Sequence, residues 1–329
     1  MHPLDVALNY CLHGEFDKCK DILDSLDQND IRVKYNLGWH YLRKGHLKKG
    51  FEYMNHGRWI NVFGAPPLHT KAPIYHNENL NGKTLLLQSE GGLGDEIINV
   101  RFAEVFAKRG AKVVVGCTDS LFCLFSKIPY ISALVERQHS AFTYHDYWVP
   151  AMSAPSVLDY EYKDLKGTPY LQYFNKRKLP GKFKIGIRWS GNPQFEAQQH
   201  RVFPVQPLID LHKIEKITLY SLQRDNDLKD NLPFADLRYD MKTWQDTAEI
   251  INGLDLVITS CTSIAHLSAA LGKPTWIIVP VLPYYTWALP GKKSPWHDTV
   301  TIYRQTKHGN WDEPFTSLKN DLIKLVSTV

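Results

Sequence analysis

The chain has 329 residues, 43% of them apolar and 22% charged, with a formal net charge of +5. That balance fits a globular protein of one large or two ordinary domains and excludes disorder; the mild positive charge permits a polyanionic partner without demanding one. The longest apolar region, 275-TWIIVPVLPYYTWALP-290, is too short and too interrupted by Pro280 and Pro283 to span a bilayer. Cys11, Cys19, Cys117, Cys123 and Cys261 form no C-x-x-C pair. With MHPLDVALNYC lacking a basic region followed by an apolar one, the expectation is reduced thiols, no signal peptide and a cytoplasmic setting.

In chain order, residues 1–61 carry apolar positions at helical spacing and no alternating run. The stretch 7-ALNYCLHGEFDKCKDIL-23 aligns with 38-GWHYLRKGHLKKGFEYM-54 at an offset of 31, Gly14 matching Gly45. Each half reads as helix, glycine turn, helix, and resembles a tetratricopeptide unit. Two such units cannot bury a core alone, so they should dock on the next domain of the chain. The stretch 32–58 holds Arg32, Lys34, Arg43, Lys44, Lys48, Lys49 and Arg58 against one acid, Glu52. It is either a solvated outer helix face or a surface for a polyanion.

After the connection 62-VFGAPPLHTKAP-73, strands are expected near 84–88, 112–116, 132–135 and 146–149, with helices near 95–109 and 119–126. A second set has strands near 184–190, 217–223, 255–260 and 274–279, and helices near 205–213, 244–252 and 262–271. The alternation predicts two parallel, doubly wound α/β domains. The polar, basic stretch 172-QYFNKRKLPGKF-183 is the expected hinge. The expected domains are therefore 1–61, 62–178 and 179–329, with a cleft at the carboxyl ends of the strands, where open α/β sheets bind ligands.

The loop 89-SEGGLGDE-96 joins the first strand to the first helix. Gly92 and Gly94 supply two glycines of a dinucleotide fingerprint, but Ile97 stands at the third, and no P-loop lysine is present. Asp95 occupies the helix start, where its charge would repel a phosphate. With glycines keeping the backbone small for an approaching substrate, Asp95 is either an open, ionised general base or merely a helix cap.

The segment 83-KTLLLQSEGGLGDEIINVRFAEVFAKRGAKVVVGC-117 resembles the first strand, loop and helix of GT-B glycosyltransferases related to glycosyltransferase family 9, which contains the lipopolysaccharide heptosyltransferases. It is more similar to bacterial and phage relatives preceded by tetratricopeptide repeats. The resemblance continues through 186-GIRWSGNP-193 and Arg201, 221-SLQRD-225, 246-DTAEIINGLDLVITSCTSIAHLSAALGKPTW-276, 294-SPWHDTVTIYRQ-305 and 309-GNW-311. It implies a GT-B fold with an N-terminal acceptor domain and a C-terminal donor domain. It also implies Asp95 as base for an inverting transfer, with Gly92, Gly94 and Glu96 in the acceptor loop. One departure is Cys261, where such relatives usually carry Asp near the donor's hydroxyls.

A nucleoside-diphosphate sugar would be the co-substrate, with no metal or other cofactor expected. Thr262, read as the N-cap of the following helix, and Ser263 would present free N–H groups to the pyrophosphate. Arg188, Arg201 and Arg224 are candidates for phosphate contacts, and Trp189, Ser190 and Asn192 for covering them. Resemblance alone adds Gln223 and Thr247 to a base pocket. His266 is either a packed core histidine or a donor ligand. The D-x-D stretch 225-DND-227 has the form of a metal motif but reads as a helix cap. No zinc spacing and no G-x-S-x-G elbow is present.

Two functions remain open on the sequence: a hexosyl- or pentosyltransferase, or a helical-repeat binding module on an inactive transferase fold. The acceptor is also open. The basic 32–58 stretch and Lys176-Arg177-Lys178 suit either a hydroxymethylated base in DNA, in the host cytoplasm if the chain is phage-encoded, or a phosphorylated envelope saccharide. A protein or small-molecule acceptor is the remaining option.

Overall fold

The computed structural model describes residues 2–64, 67–191, 198–224 and 232–328. The chain divides into two compact units: residues 1–8, 16–166 and 170–172, and residues 9–15, 167–169 and 173–329.

The helical segment holds α1 (Pro3–Leu12), α2 (Phe16–Ser25), α3 (Ile31–Arg43) and α4 (Leu47–Met54). The turns after α1 and α3 each contain a glycine in the left-handed region, Gly14 at φ +82° and Gly45 at φ +91°, where a side chain would be strained. Helix α3 begins at Asp30, whose carboxylate accepts from the Arg32 N–H. Its buried Val33, Leu37 and Leu42 lie near helical spacing, and the helix packs on α4, whose buried residues include Leu47, Phe51 and Met54. Two helix pairs leave α4 in need of a neighbour. The first α/β layer supplies it, with Glu161 accepting from the Leu47 N–H at 2.7 Å.

The same unit contains β1 (Thr84–Gln88), α5 (Leu93–Asn99), α6 (Phe102–Lys108), β2 (Lys112–Cys117), α7 (Phe122–Phe125), β3 (Ala133–Glu136), β4 (Tyr147–Pro150) and α8 (Ala154–Val157). The strands are parallel in the order β3-β2-β1-β4, with Leu86 beside Val114 and Trp148. The single helix expected over 95–109 is two. At the break, the Arg101 Nε donates to the Ile98 carbonyl at 2.9 Å.

The second unit contains β5 (Phe183–Arg188), α9 (Gln198–Arg201), α10 (Gln206–Leu211), β6 (Ile217–Ser221), β7 (Ala235–Asp236), α11 (Trp244–Gly253), β8 (Leu256–Ser260), α12 (Ser263–Ala270), β9 (Thr275–Val279), β10 (Val300–Arg304) and α13 (Asp312–Ser327). The parallel order is β10-β9-β8-β5-β6-β7. Side chains alternate across a strand, and β9 shows both faces used. Ile278 joins a core with Ile185, Ile258, Leu318 and Leu322, whereas Ile277 and Val279 join one with Ala265, Ala269 and Trp287. Burial on both faces explains the continuous apolar run TWIIV. All five cysteines are free, and no helix among the described residues is long and apolar enough to cross a membrane.

Candidate functional site

In each sheet the first strand lies between the next strand in sequence and a later one. The switch falls between β1 and β4 in one unit and between β5 and β8 in the other. Ligands of open α/β sheets bind beyond the carboxyl ends at such points. Several candidate residues of each unit gather there.

In the first unit the loop after β1 is tied down residue by residue. The Ser89 N–H donates to the Gly116 carbonyl at 2.8 Å and the Gly91 N–H to the Phe63 carbonyl at 2.9 Å. Arg137 donates from Nη1 to the Gly91 carbonyl at 3.0 Å. Gly91 has φ +71°. A Cβ there would lie 2.8 Å from Asp95 Cγ and 2.9 Å from its Cβ. Gly92, by contrast, has an ordinary φ of −92° and is exposed. The glycine this loop requires is Gly91, and the sequence pattern pointed instead to Gly92 and Gly94.

Asp95 stands at the third position of α5, and its Oδ2 accepts from the Gly92 N–H at 3.0 Å. Its side chain is folded against the loop and the residue is only 8% exposed. Of the two readings left open, the sterically open carboxylate is not the arrangement found. The cap geometry is present, because the glycine bend brings the N-cap N–H within reach of the carboxylate. Glu96 points inward, 1% exposed, accepting from the Thr118 N–H at 2.8 Å and from its hydroxyl at 2.6 Å. Burial pushes its carboxyl above the ordinary value, against the opposing effects of Thr118 and Arg137. Gly94 occupies the first turn of α5.

In the second unit, Arg188 ends β5 and is buried. Its Nε donates to the Ser190 carbonyl at 3.1 Å and its Nη1 to the Leu222 carbonyl at 3.3 Å, bracing two loops. Gln223 makes a reciprocal pair with Ser190, accepting from its N–H at 3.2 Å and donating to its hydroxyl at 2.8 Å. Arg201 donates from Nη1 to the Cys261 carbonyl at 2.7 Å. Its Nη2 lies 2.6 Å from where a Gly191 Cβ would stand, with Thr262 Cγ2 at 3.1 Å from the same point. Arg188, Ser190, Gln223, Arg201 and Thr262 are therefore brought together over the ends of β5, β6 and β8.

Thr262 is the N-cap residue of α12 by position, but its side chain makes no cap bond. Its hydroxyl lies 3.2 Å from Thr259 Oγ1 instead, which corrects the expected capping role. Ser263 is the first residue of α12. Ser260, fully buried beside them, has a hydroxyl without a hydrogen-bond partner among the described residues, a state that calls for an explanation.

Cys261 is 6% exposed, and its Sγ accepts from Trp287 Nε1 at 3.1 Å. His266 is 3% exposed and lies parallel to Trp287, with ring centroids 5.2 Å apart. Its Nδ1 is 3.5 Å from His297 Nε2. Of the two readings of His266, the packed one matches this setting. Thr247 donates to the Thr243 carbonyl of its own helix at 2.9 Å. Trp189 packs toward Phe234 in the core, and Arg224 is exposed. Asn192 and the D-x-D stretch 225–227 lie outside the described residues. Among those described, no three His, Cys, Asp or Glu side chains are grouped to hold a metal.

Sequence reasoning missed Gly91, Glu90, Arg137, Thr259, Trp287 and His297 as parts of these networks. His297 and Trp287 lie in or near the closing segment, but nothing in their spacing ties them to Cys261.

Four of the seven cations in the basic 32–58 stretch have acidic partners. Arg32 pairs with Asp30, Lys44 with Asp17, Lys48 with Glu52 and Asp159, and Arg58 with Glu90. Arg43 lies over the Phe16 ring and Lys49 over Tyr41. The solvated-face reading fits this arrangement better than a polyanion surface. The neutralising acids, apart from Glu52, lie outside the stretch.

By sequence the chain matches no family model and no curated protein. By structure it is similar to the dodecameric iron-containing heptosyltransferase TibC in complex with ADP-D-β-D-heptose. They are 13% identical at TM-score 0.53, over 76% of this chain and 78% of that one. A second structure of TibC, from enterotoxigenic E. coli, gives 13% and 0.52 over 76% and 77%. A glycosyl transferase family 9 structure from Veillonella parvula gives 11% and 0.50, covering 76% of this chain and 98% of that one. The α/β fold with parallel sheets is thus that of the heptosyltransferase structures. At such identities the likeness concerns the fold alone.

Proposed function

We propose that the chain is a nucleotide-sugar-dependent glycosyltransferase. The observation that carries this is the constellation at the β5/β8 switch. Arg201, the first turn of α12 and the Ser190–Gln223 pair surround one place at the N-terminus of α12, the end of a helix that favours anions. A diphosphate placed there meets a guanidinium and a helix N-terminus. Arg188 serves by bracing the loops, while Ser263 and Thr262 supply the helix start. Cys261 replaces a hydroxyl-binding carboxylate with a packed thiol, so donor recognition at that position differs from that of the family it resembles.

In the reaction we draw, the acceptor oxygen attacks the anomeric carbon as the bond to the departing diphosphate breaks. Attack from the opposite face inverts that centre. Asp95 takes the acceptor's proton, and charge developing on the leaving diphosphate is met by Arg201 and α12. The scheme calls for no metal. Asp95 must turn its carboxylate away from the Gly92 N–H, or use its second oxygen, to reach the acceptor. Because four of the seven 32–58 cations already pair with acids, a saccharide acceptor is favoured over a DNA base.

Thermal stability against UDP, GDP, ADP, CMP and dTDP tests the donor site. A ligand at about 100 times its dissociation constant adds roughly 2.7 kcal/mol. ADP is the first choice, since TibC is bound to ADP-heptose. A rise with one nucleotide supports the proposal and fixes the donor class. No rise with any of them overturns it in favour of a binding module.

A further inference from the structure

We propose that the N-terminal helical segment belongs to the catalytic machinery, with Arg58 as a positioning residue for the loop that carries Asp95. This rests on the reading of Asp95 as the base. Arg58 lies in the 3-10 turn Asn55–Ile60 that comes after α4. Its guanidinium grips Glu90 with two bonds, Nε to Oε1 at 2.5 Å and Nη2 to Oε2 at 2.7 Å. Its third arm donates to Asn55 Oδ1 at 3.1 Å, and Asn55 Oδ1 also accepts from Ser153 at 2.8 Å. The side chains of Arg58 and Glu90 are only 9% and 8% exposed.

A buried ion pair adds little net stability compared with apolar residues of the same size, because both charges lose water. What a two-pronged arginine–carboxylate pair provides is direction. Here that direction is imposed on Glu90, the residue before Gly91. Gly91 is held a second time from the residues just after the helical segment, its N–H meeting the Phe63 carbonyl at 2.9 Å. The Asp95 carboxyl carbon sits 2.8 Å from the place a Gly91 Cβ would occupy. The chain of contact is short: Arg58 fixes Glu90, Glu90 fixes Gly91, and Gly91 is the floor on which Asp95 rests. A partner-binding repeat would need no such grip, and an exposed surface pair would not be built with both groups buried.

The test uses the full chain with Arg58→Met/Glu90→Met, which removes both charges and leaves no unpaired one, and with Arg58→Lys, which keeps the charge but loses the fork. Three quantities are read: amide hydrogen exchange over 89–95, affinity for whichever nucleotide stabilises the wild type, and kcat with the matching nucleotide sugar. We expect faster exchange in the loop and unchanged nucleotide affinity. A kcat about 100-fold lower is expected from a misplacement on the order of 1 Å, with Arg58→Lys falling between. Unchanged exchange in the double variant overturns the proposal. So does faster exchange with unaltered kcat, or a parallel fall in nucleotide affinity that marks general damage. If no nucleotide binds the wild type, the transferase reading fails and the positioning role falls with it. Loop exchange would then show on its own whether the clamp is structural.

Discussion

Gly91→Ala should be far more damaging than Gly92→Ala, although the sequence motif emphasises the second glycine. At φ +71° an L side chain costs about 1–2 kcal/mol. The new Cβ would also meet the Asp95 carboxyl carbon at 2.8 Å and the Asp95 Cβ at 2.9 Å, distances that force Asp95 to move. Its bond from the Gly92 N–H is then lost, worth about 1 kcal/mol for a helix start. The total is roughly 2–3 kcal/mol, or a fall in Tm of about 4–12 °C for a unit of this size. Gly92 has φ −92° and no neighbour closer than 3.9 Å to a Cβ, so its alanine variant should lose only the difference between glycine and alanine at an N-cap, up to about 1 kcal/mol. Thermal and urea unfolding of both variants measure this. A Gly91→Ala loss below about 0.5 kcal/mol, or equal losses in the two, would refute the reasoning.

Further outcomes are expected elsewhere. Gly191→Ala places a Cβ 2.6 Å from Arg201 Nη2, the end of a flexible side chain. Stability should hold while nucleotide affinity drops about 10-fold, the order of one displaced charged hydrogen bond, as calorimetry would show. Cys261→Ala leaves the buried Trp287 N–H unsatisfied and should cost about 1–3 kcal/mol, whereas Cys261→Ser keeps an acceptor and should cost less; denaturant melts compare them, and equal losses would remove Cys261 from that role. Burial raises the Glu96 pKa above 4.5, so the native state keeps a proton there that the unfolded chain has lost. The stability it contributes is full below pH 4.5 and falls as pH rises through the folded pKa. The wild-type advantage over Glu96→Gln should therefore shrink from pH 4 upward, and a difference independent of pH would contradict the assignment.

Much of the sheet architecture was legible because buried parallel strands are dense apolar runs. β1, β2, β8 and β9 fall within a residue or two of where TLLLQ, KVVVGC, DLVITS and PTWIIV place them. The two-residue β7 carries no periodic signal. α13 does, through Phe315, Leu318, Leu322 and Val326 at helical spacing, but it lies beyond the last recognisable motif. The break between α5 and α6 falls at Val100–Arg101, where no glycine or proline marks it in the sequence.

The site was legible by position and less so by role. Arg201, Gln223, Ser190 and Thr262 were singled out and do converge. Their partners are set by three-dimensional contact: Gln223 answers Ser190 across two loops, and Thr262 turns to Thr259 rather than to its helix. The 32–58 cations show the same limit. Counting charge within a window cannot see Asp17, Asp30, Glu90 and Asp159, which fold back onto it.

The proposed chemistry needs a donor site that holds a nucleotide and a carboxylate that takes the acceptor's proton. Asp95→Asn tests it most directly, with nucleotide affinity and sugar transfer measured on the same preparation. Asparagine keeps an oxygen for the Gly92 N–H but cannot accept a proton as a base. The predicted result is wild-type nucleotide affinity with transfer reduced by about 10²–10⁴-fold, the usual contribution of general base catalysis. Transfer at the wild-type rate would contradict the proposal and leave Asp95 as a helix cap.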